Sequence, residues 1–458
     1  MKIRFLRFCI ALCVLLVPFS LAIAQDNSEI AGIWRTQGYG WVLDIAEDGF
    51  TAYQVTEATC VVFDDSDTVD YQGDSVTISG LQFPGLTGLV FGSDAFDMQF
   101  TLEDADTFIF DTESVAPIYA HRIDSLPESC ADGIEDSDDP ETIFEIFWHM
   151  FNEHYAFFEL HGVDWQAVYD TYRPQITEDT SGFEIHEIIV EILSSFSDGH
   201  VNFLSIYGFH NAGTPAAWTN NEDEETLSAY IRLVIENYLI DEPVIVANNK
   251  IVYGRLSETT GYINIVAMYE YSEDGDDIAA LEAVMPGIMA EFADLENIVV
   301  DVRFNGGGDD RNAVHIAGYF TDEPYIGFSK QTWTGDDFTD LYDVTVEPLG
   351  EQAYTGNVYF LTSDYTLSGA EVFTLNMSAL PNVTTVGEAT GGALSDILPV
   401  FFPNGWFATI SNERYLSHDG VLYEGTGIPA DIEVPMSLET LENGYDPVID
   451  TVLELTAD

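Results

Sequence analysis

Ser368 stands in "YTLSGAEVF" (365–373), between a short apolar run and what reads as a helix start. Backbone N–H groups at a helix start are unpaired and point outward, where they can stabilise an oxyanion. A serine placed there is either an N-cap or a nucleophile whose own amide helps to form the hole. The hydrolase elbow G-x-S-x-G is absent, because Thr366 and Ala370 hold its glycine positions. A second stretch, "DVRFNGGGDD" (301–310), places three glycines directly after a buried-looking strand. They let the backbone approach a ligand or turn with positive φ. It lacks the Lys-Ser/Thr of a phosphate loop, Arg311 stands where G-x-G-x-x-G would end, and Asp309 and Asp310 disfavour phosphate. An oxyanion-hole loop through Gly306 or Gly307 is one reading, and a tight strand-to-helix turn is the other. A third stretch, "SFSDGHVNF" (195–203), sets His200 just beyond a helix and two residues after Asp198. Such a histidine is a general base or a structural residue.

Metal chemistry is poorly supported. His186-Glu187 opens an H-E-x-x-H pattern, but Val190 replaces its second histidine. His149 and His154 are five apart and share no helix face, and His161 would join them only by chance. No metal or other cofactor is expected.

These residues need elements to hold them. Residues 26–130 read as an all-β domain, barrel or sandwich, from "GYGWVLDIA", "GFTAYQV", "SVTISG", "AFDMQFTL" and "TFIFDT". An acidic linker follows at 131–140. A helical subdomain over 141–205 is expected from "ETIFEIFWHMFNEHYAFFEL" and "FEIHEIIVEILSSF". Residues 206–254 connect it to an α/β core at 255–440. There "TGYINIVAM", "NIVVDVRF" and "NVYFLTS" read as strands and "DDIAALEAVMPGIMAEFADL" and "GAEVFTLNMSAL" as helices.

The opening reads as a targeting segment. Lys2, Arg4 and Arg7 precede an apolar run, and Ala22-Ile23-Ala24 fits a cleavage site. Residues 1–24 are read as a signal peptide, and the mature chain is expected to be exported, periplasmic or extracellular. A retained N-terminal anchor is the alternative. No later apolar run is long enough to span a bilayer. The chain of 458 residues has 80 Asp+Glu against 13 Lys+Arg, a formal charge of −67. Loss of the signal peptide removes three basic residues and takes it to −70. A hydrophobic fraction of 46% supports a real core despite that charge. The acidic surface repels nucleic acid and anionic membranes. Cys60 and Cys130 remain after export and favour one disulfide, with two free thiols as the other possibility.

Taken together, "EHYAFFELHGVDWQAVYDTYRP", "SDGHVNF", "GYINI", "DVRFNGGG", "SGAEVF" and "YEGTGIPADIEV" resemble, in order and spacing, the S41 peptidase family over roughly 140–435. The resemblance implies a ClpP/crotonase-like core of β-β-α units behind a helical subdomain. It implies a serine peptidase acting on peptide or protein substrates through an acyl-enzyme. The processing-peptidase branch uses a lysine base some 25 residues past the serine, but "VGEATGGALSD" has none, and the chain's lysines are Lys2, Lys250 and Lys330. The tricorn-like branch uses a histidine, a position that His200 matches, and a glutamate that maps onto Glu424. Ser368 takes the nucleophile's position, with Gly369 and Gly306 or Gly307 as the oxyanion hole. The family serine beside the histidine is Gly199 here, so the relay is shorter, water-bridged, or served by Asp198 as a possible orienting acid. The stretch from His200 to Gly261 is too short for an inserted PDZ domain. A non-catalytic module binding an apolar ligand is the rival reading on the same fold. In another, the β-domain carries the function and the rest is scaffold.

The charge also makes a physical prediction. Self-repulsion acts over a Debye length of about 30 Å at 0.01 M salt and about 3 Å at 1 M. The melting temperature should therefore rise with NaCl across that range. A flat or falling series in thermal melts would remove charge repulsion as a determinant of stability.

Overall fold

The computed structural model describes residues 30–82, 84–87, 95–111, 114–131, 133–214, 216, 224–273, 275–350 and 353–457. The targeting segment lies outside the described residues. No described helix is long and apolar enough to cross a membrane.

The N-terminal sheet has nine antiparallel strands: β1 (Gly32–Thr36), β2 (Trp41–Ala46), β3 (Gly49–Val55), β4 (Cys60–Ser66), β5 (Val69–Gln72), β6 (Ser75–Leu81), β7 (Phe96–Asp104), β8 (Thr107–Asp111) and β9 (Ile118–Ile123). Their order is β4-β3-β2-β1-β9-β8-β7-β6-β5. The two edge strands, β4 and β5, are consecutive in sequence and joined by two residues. The sheet must therefore curl almost to closure, so it is barrel-like and not a sandwich. Period-two alternation turns Trp34, Phe50, Phe100 and Phe108 inward, where they fill the interior. Cys60 of β4 is disulfide-bonded to Cys130, with Cα atoms 5.0 Å apart.

Four helices follow: α1 (Pro140–His154), α2 (Phe158–His161), α3 (Trp165–Tyr172) and α4 (Gly182–Leu193). Asp139 caps α1 by accepting Thr142 N–H at 2.9 Å, and Pro140 sits at its first turn. The helical stretch after residue 153 breaks into short pieces. Gly162, at φ 68°, ends α2, and Asp164 caps α3. Trp148 and Trp165 each donate an indole N–H to the other's backbone carbonyl, at 3.1 and 3.0 Å, and lock α1 to α3.

Beyond His200 the chain forms β10 (Asn202–Ser205), β11 (Gly208–Asn211), α5 (Glu224–Asn237), β12 (Val244–Val246) and β13 (Ile251–Arg255). Then come β14 (Thr260–Ile265), α6 (Asp277–Phe292), β15 (Asn297–Asp301), α7 (Asp310–Ala317), β16 (Tyr325–Thr332) and β17 (Tyr342–Val346). The core is completed by β18 (Asn357–Thr362), α8 (Gly369–Ser378), β19 (Val383–Gly387), β20 (Ile397–Phe401), β21 (Phe407–Ser411), β22 (Glu413–Ser417) and β23 (Ile432–Glu433). The central sheet runs β12-β13-β14-β15-β18-β19-β23, parallel from β14 onward. Every residue of β14 and β15 is buried, as both-face coverage by helices requires. Two smaller sheets flank it, β17-β16-β22 and β11-β10-β21-β20. The pairing of β10 with β21 ties the His200 segment to the core.

Arg303, in the middle of "DVRFNGGG", is fully buried and serves the fold. Its guanidinium binds Asp301 at 2.7 and 3.0 Å and Asp446 at 2.9 and 3.0 Å. Asp446 also caps α9 (Pro447–Leu455). Removing one partner of a buried charge leaves it uncompensated. Asp446→Ala should therefore lower stability by roughly 3 kcal/mol. Equilibrium urea denaturation checks this, and a loss under about 1 kcal/mol would show that Asp301 alone suffices.

Candidate active site

Ser368 stands immediately before α8 with φ 53° and ψ −128°. A positive φ is unusual for a residue with a side chain, and at a site it marks a conformation that the surroundings enforce. The enforcement is visible. Ser368 N–H donates to Ala393 O at 3.0 Å and also lies 3.2 Å from Glu371 Oε2. Its carbonyl accepts the N–H groups of Glu371 and Val372 at 2.7 and 3.0 Å. The helix start is a capping box, in which the Glu371 carboxylate reaches back to the Ser368 N–H. The side chain lines a cavity of about 710 Å³ that His200 lines as well. The residues 168 positions apart in sequence are thus brought to one cleft.

The glycine-rich turn lies against Ser368. A Cβ at Gly307, at φ +106°, would sit 2.6 Å from Ser368 Cβ, so no other residue permits this approach. Two glycines of this turn fare differently from expectation. The Gly307 N–H donates to Asn305 Oδ1 at 2.9 Å and is not free for an oxyanion. Gly306 does not line the cavity, whereas Gly308 does. Among the described residues the N–H groups of Gly308 and Gly369 have no protein partner. A Cβ on Gly369 would lie 3.1 Å from Gly308 N, so the two backbones are in contact. The sequence reading missed Gly308 because three adjacent glycines look alike until the Asn305 side chain takes one amide.

His200 enters β10 from the turn after α4. Its N–H donates to Asp198 Oδ1 at 2.9 Å, and its carbonyl accepts Thr409 Oγ1–H at 2.5 Å from β21. Burial pushes the imidazole below its ordinary 6.5, while the Asp198 and Asp396 carboxylates pull it back up. Its Nδ1 is buried without a protein hydrogen bond among the described residues. Asp198 also accepts Tyr155 O–H at 2.9 Å and Ser411 O–H at 3.0 Å. His161 Nε2, likewise buried, lies 3.9 Å from Asp198 Oδ2. His149 faces Glu145 and Glu153, and His154 lies under Gly40, so these three histidines serve separate places. Gly199 has a steric reason. A Cβ there would stand 3.3 Å from Ala393 Cβ, and Ala393 is the residue whose carbonyl holds Ser368.

Glu424 is buried and accepts the N–H groups of Leu394 and Ser395 at 3.0 and 2.8 Å, bracing the cavity wall. Burial, with the Asp198 and Glu371 charges beside it, drives its pKa well up. No hydrogen bond joins it to His200 among the described residues. Lys330 is buried against Glu413 at 2.8 Å and Asp396 at 3.7 Å. Burial opposes its charge, but the carboxylates outweigh burial and raise its pKa above the ordinary lysine value. One wall of the cavity comes from the N-terminal sheet, through Tyr39, Trp41 and Ile118. No local signal in those residues announces it.

Residues 259–434 match the model of peptidase family S41, and residues 136–194 match the tricorn protease C1 domain. The chain thus carries an S41 peptidase-family domain over residues 259–434. Among solved structures it is similar to a putative peptidase from Parabacteroides merdae, at 26% identity and TM-score 0.61, covering 70% of this chain and 98% of that one. It shares its fold with mature CPAF complexed with lactacystin, at 11% identity and TM-score 0.51, covering 69% and 98%. The strands from Gly32 to Ile123 lie outside both family matches.

The backbone of Ser368 yields a stability test. Glycine adopts positive φ without strain, and such strain is worth on the order of 1 kcal/mol. Both Ser368→Gly and Ser368→Ala remove the hydroxyl, yet the glycine variant should be the more stable by about that amount. Parallel melts decide it, and an alanine variant of equal or higher stability would refute the strain.

Proposed function

We propose that this chain is an exported serine peptidase that cuts peptide bonds through an acyl-enzyme on Ser368, with His200 as general base. The observation carrying this reading is the enforced conformation of Ser368. Ser368 shares a cleft with His200, while Lys330 is held in ion pairs. In the first step His200 takes the hydroxyl proton as Oγ bonds to the scissile carbonyl carbon. The resulting oxyanion accepts the free N–H groups of Gly369 and Gly308. The imidazolium returns its proton to the leaving amine as the C–N bond breaks. Water, deprotonated by the same imidazole, then releases the acyl group. Asp198 is the carboxylate that acts on His200, and Glu424 holds the 394–395 backbone behind it. Export rests on the targeting segment and is supported by the Cys60–Cys130 bond.

Ser368→Ala and His200→Ala should each reduce kcat by several orders of magnitude, because the pair acts as one unit. Glu424→Gln should lose less. Activity needs neutral His200, and burial lowers its pKa. The ascending limb of kcat/KM should therefore lie below about 6.5 and flatten above it. A limb near pH 9 or above, or full activity in His200→Ala, would overturn the base. A fluorophosphonate probe should label the native chain and not Ser368→Ala. Absence of labelling in both would favour a non-catalytic binding module.

A further inference from the structure

The cleft does not end at the catalytic residues. Trp41 and Pro399 line the cavity that holds Ser368 and also line a second one of about 620 Å³. This second cavity opens at the mouth of the N-terminal sheet. Phe63, Phe96, Met98 and Phe110 face it from that sheet, and Phe401 faces it from the core. The sheet's interior is filled by its own side chains, so a ligand has room at the mouth and not inside. The two parts are firmly joined there. Buried Gln54 donates to Phe401 O at 3.1 Å and accepts Phe401 N–H at 2.9 Å, and the Phe63 and Phe401 rings stack at 4.8 Å. Strand β20, an edge strand, runs from Ile397 at the catalytic cavity to Phe401 at the apolar one. Four residue steps of extended chain cover about 13 Å.

We propose that this mouth cavity is a substrate subsite that takes a large apolar, preferably aromatic, side chain of an extended peptide, about four residues from the scissile bond. The proposal rests on the peptidase reading for its occupant. The shared wall of Trp41 and Pro399 argues for that occupant, since the cavity adjoins the cleft in which a peptide chain would lie. It assigns the N-terminal sheet, which the family matches do not cover, a role in selecting substrates.

Binding tests it without turnover. The Ser368→Ala form of the full mature chain would be titrated with fluorescent Ser/Gly decapeptides carrying one Phe moved along the sequence. One Phe position should bind about tenfold or more tighter than the peptide with Ser there. Met98→Asp should erase that gain and leave the all-Ser/Gly peptide unchanged. Met98→Gln, milder for the fold, should cut the gain at least threefold. Equal affinity at every position, or a gain that survives both variants, would overturn the subsite. An apolar dye that binds at Met98 and is not displaced by the Phe peptide would do the same, assigning the cavity to a free apolar ligand. Fluorophosphonate labelling of the native chain is read separately. Labelling without a Phe preference sinks the subsite alone, and a Phe preference without labelling sinks the acyl-enzyme alone.

Discussion

The buried carboxylate of Glu371 is the interaction on which the site's geometry depends. It accepts Thr390 O–H at 2.6 Å and the N–H groups of Gly392 and Ala393 at 2.8 Å each, with Ser368 N–H at 3.2 Å. One side chain on the first turn of α8 thereby fixes the 390–393 loop against the helix that begins at Ser368. Ala393, held by its N–H, returns its carbonyl to Ser368. The strained φ of Ser368 persists because these bonds over-determine it. Burial raises the acid's pKa and the four donors pull it down. The net result is a pKa raised to about 7, so the four donors offset only part of the cost of burial.

From that loop the constraint spreads outward. Residues 394 and 395 are held by Glu424, and Gly199 rests on Ala393, which places the His200 turn beside the Ser368 loop. Asp198 then links helices to sheet, since its donors come from Tyr155 beyond α1, from His200 and from Ser411 on β21. Two sets of hydrogen bonds, one anchored on α8 and one reaching Tyr155 beyond α1, therefore meet at the Gly199–Ala393 contact.

Much of this was legible in the sequence because the signals are local. The buried strand before the glycines, the helix start at Ser368 and the turn before His200 are written in adjacent residues. The division of labour among Gly306, Gly307 and Gly308 was not. It depends on where Asn305 points and on Ser368 from another segment. The helical stretch after residue 153 is divided into short pieces for a related reason. Gly162 and Asp164 punctuate it, but aromatic residues at helical spacing continue across the break and pack as one cluster. The wall supplied by Tyr39 and Trp41 was beyond reach, because it arises from docking of the N-terminal sheet through Gln54 and Phe401.

The same acidic composition bears on the choice of base. Ten basic Lys and Arg residues remain after residue 24 against 80 acids. Several stand at junctions of the fold: Arg303 between Asp301 and Asp446, Arg173 across Glu141 and Glu145, and Lys330 beside Glu413. A lysine acts as a base only when desolvation or neighbouring cations lower its pKa. Near this cleft the field works the other way. Asp310, Asp396 and Glu413 raise Lys330, and freeing it would leave Glu413 buried and unpaired. An imidazole meets the same carboxylates differently. Its ordinary pKa lies near 6.5, burial lowers it, and a nearby acid restores part of the loss without fixing the proton at neutral pH. In a protein this rich in carboxylates, histidine is the side chain whose basicity survives the surrounding charge.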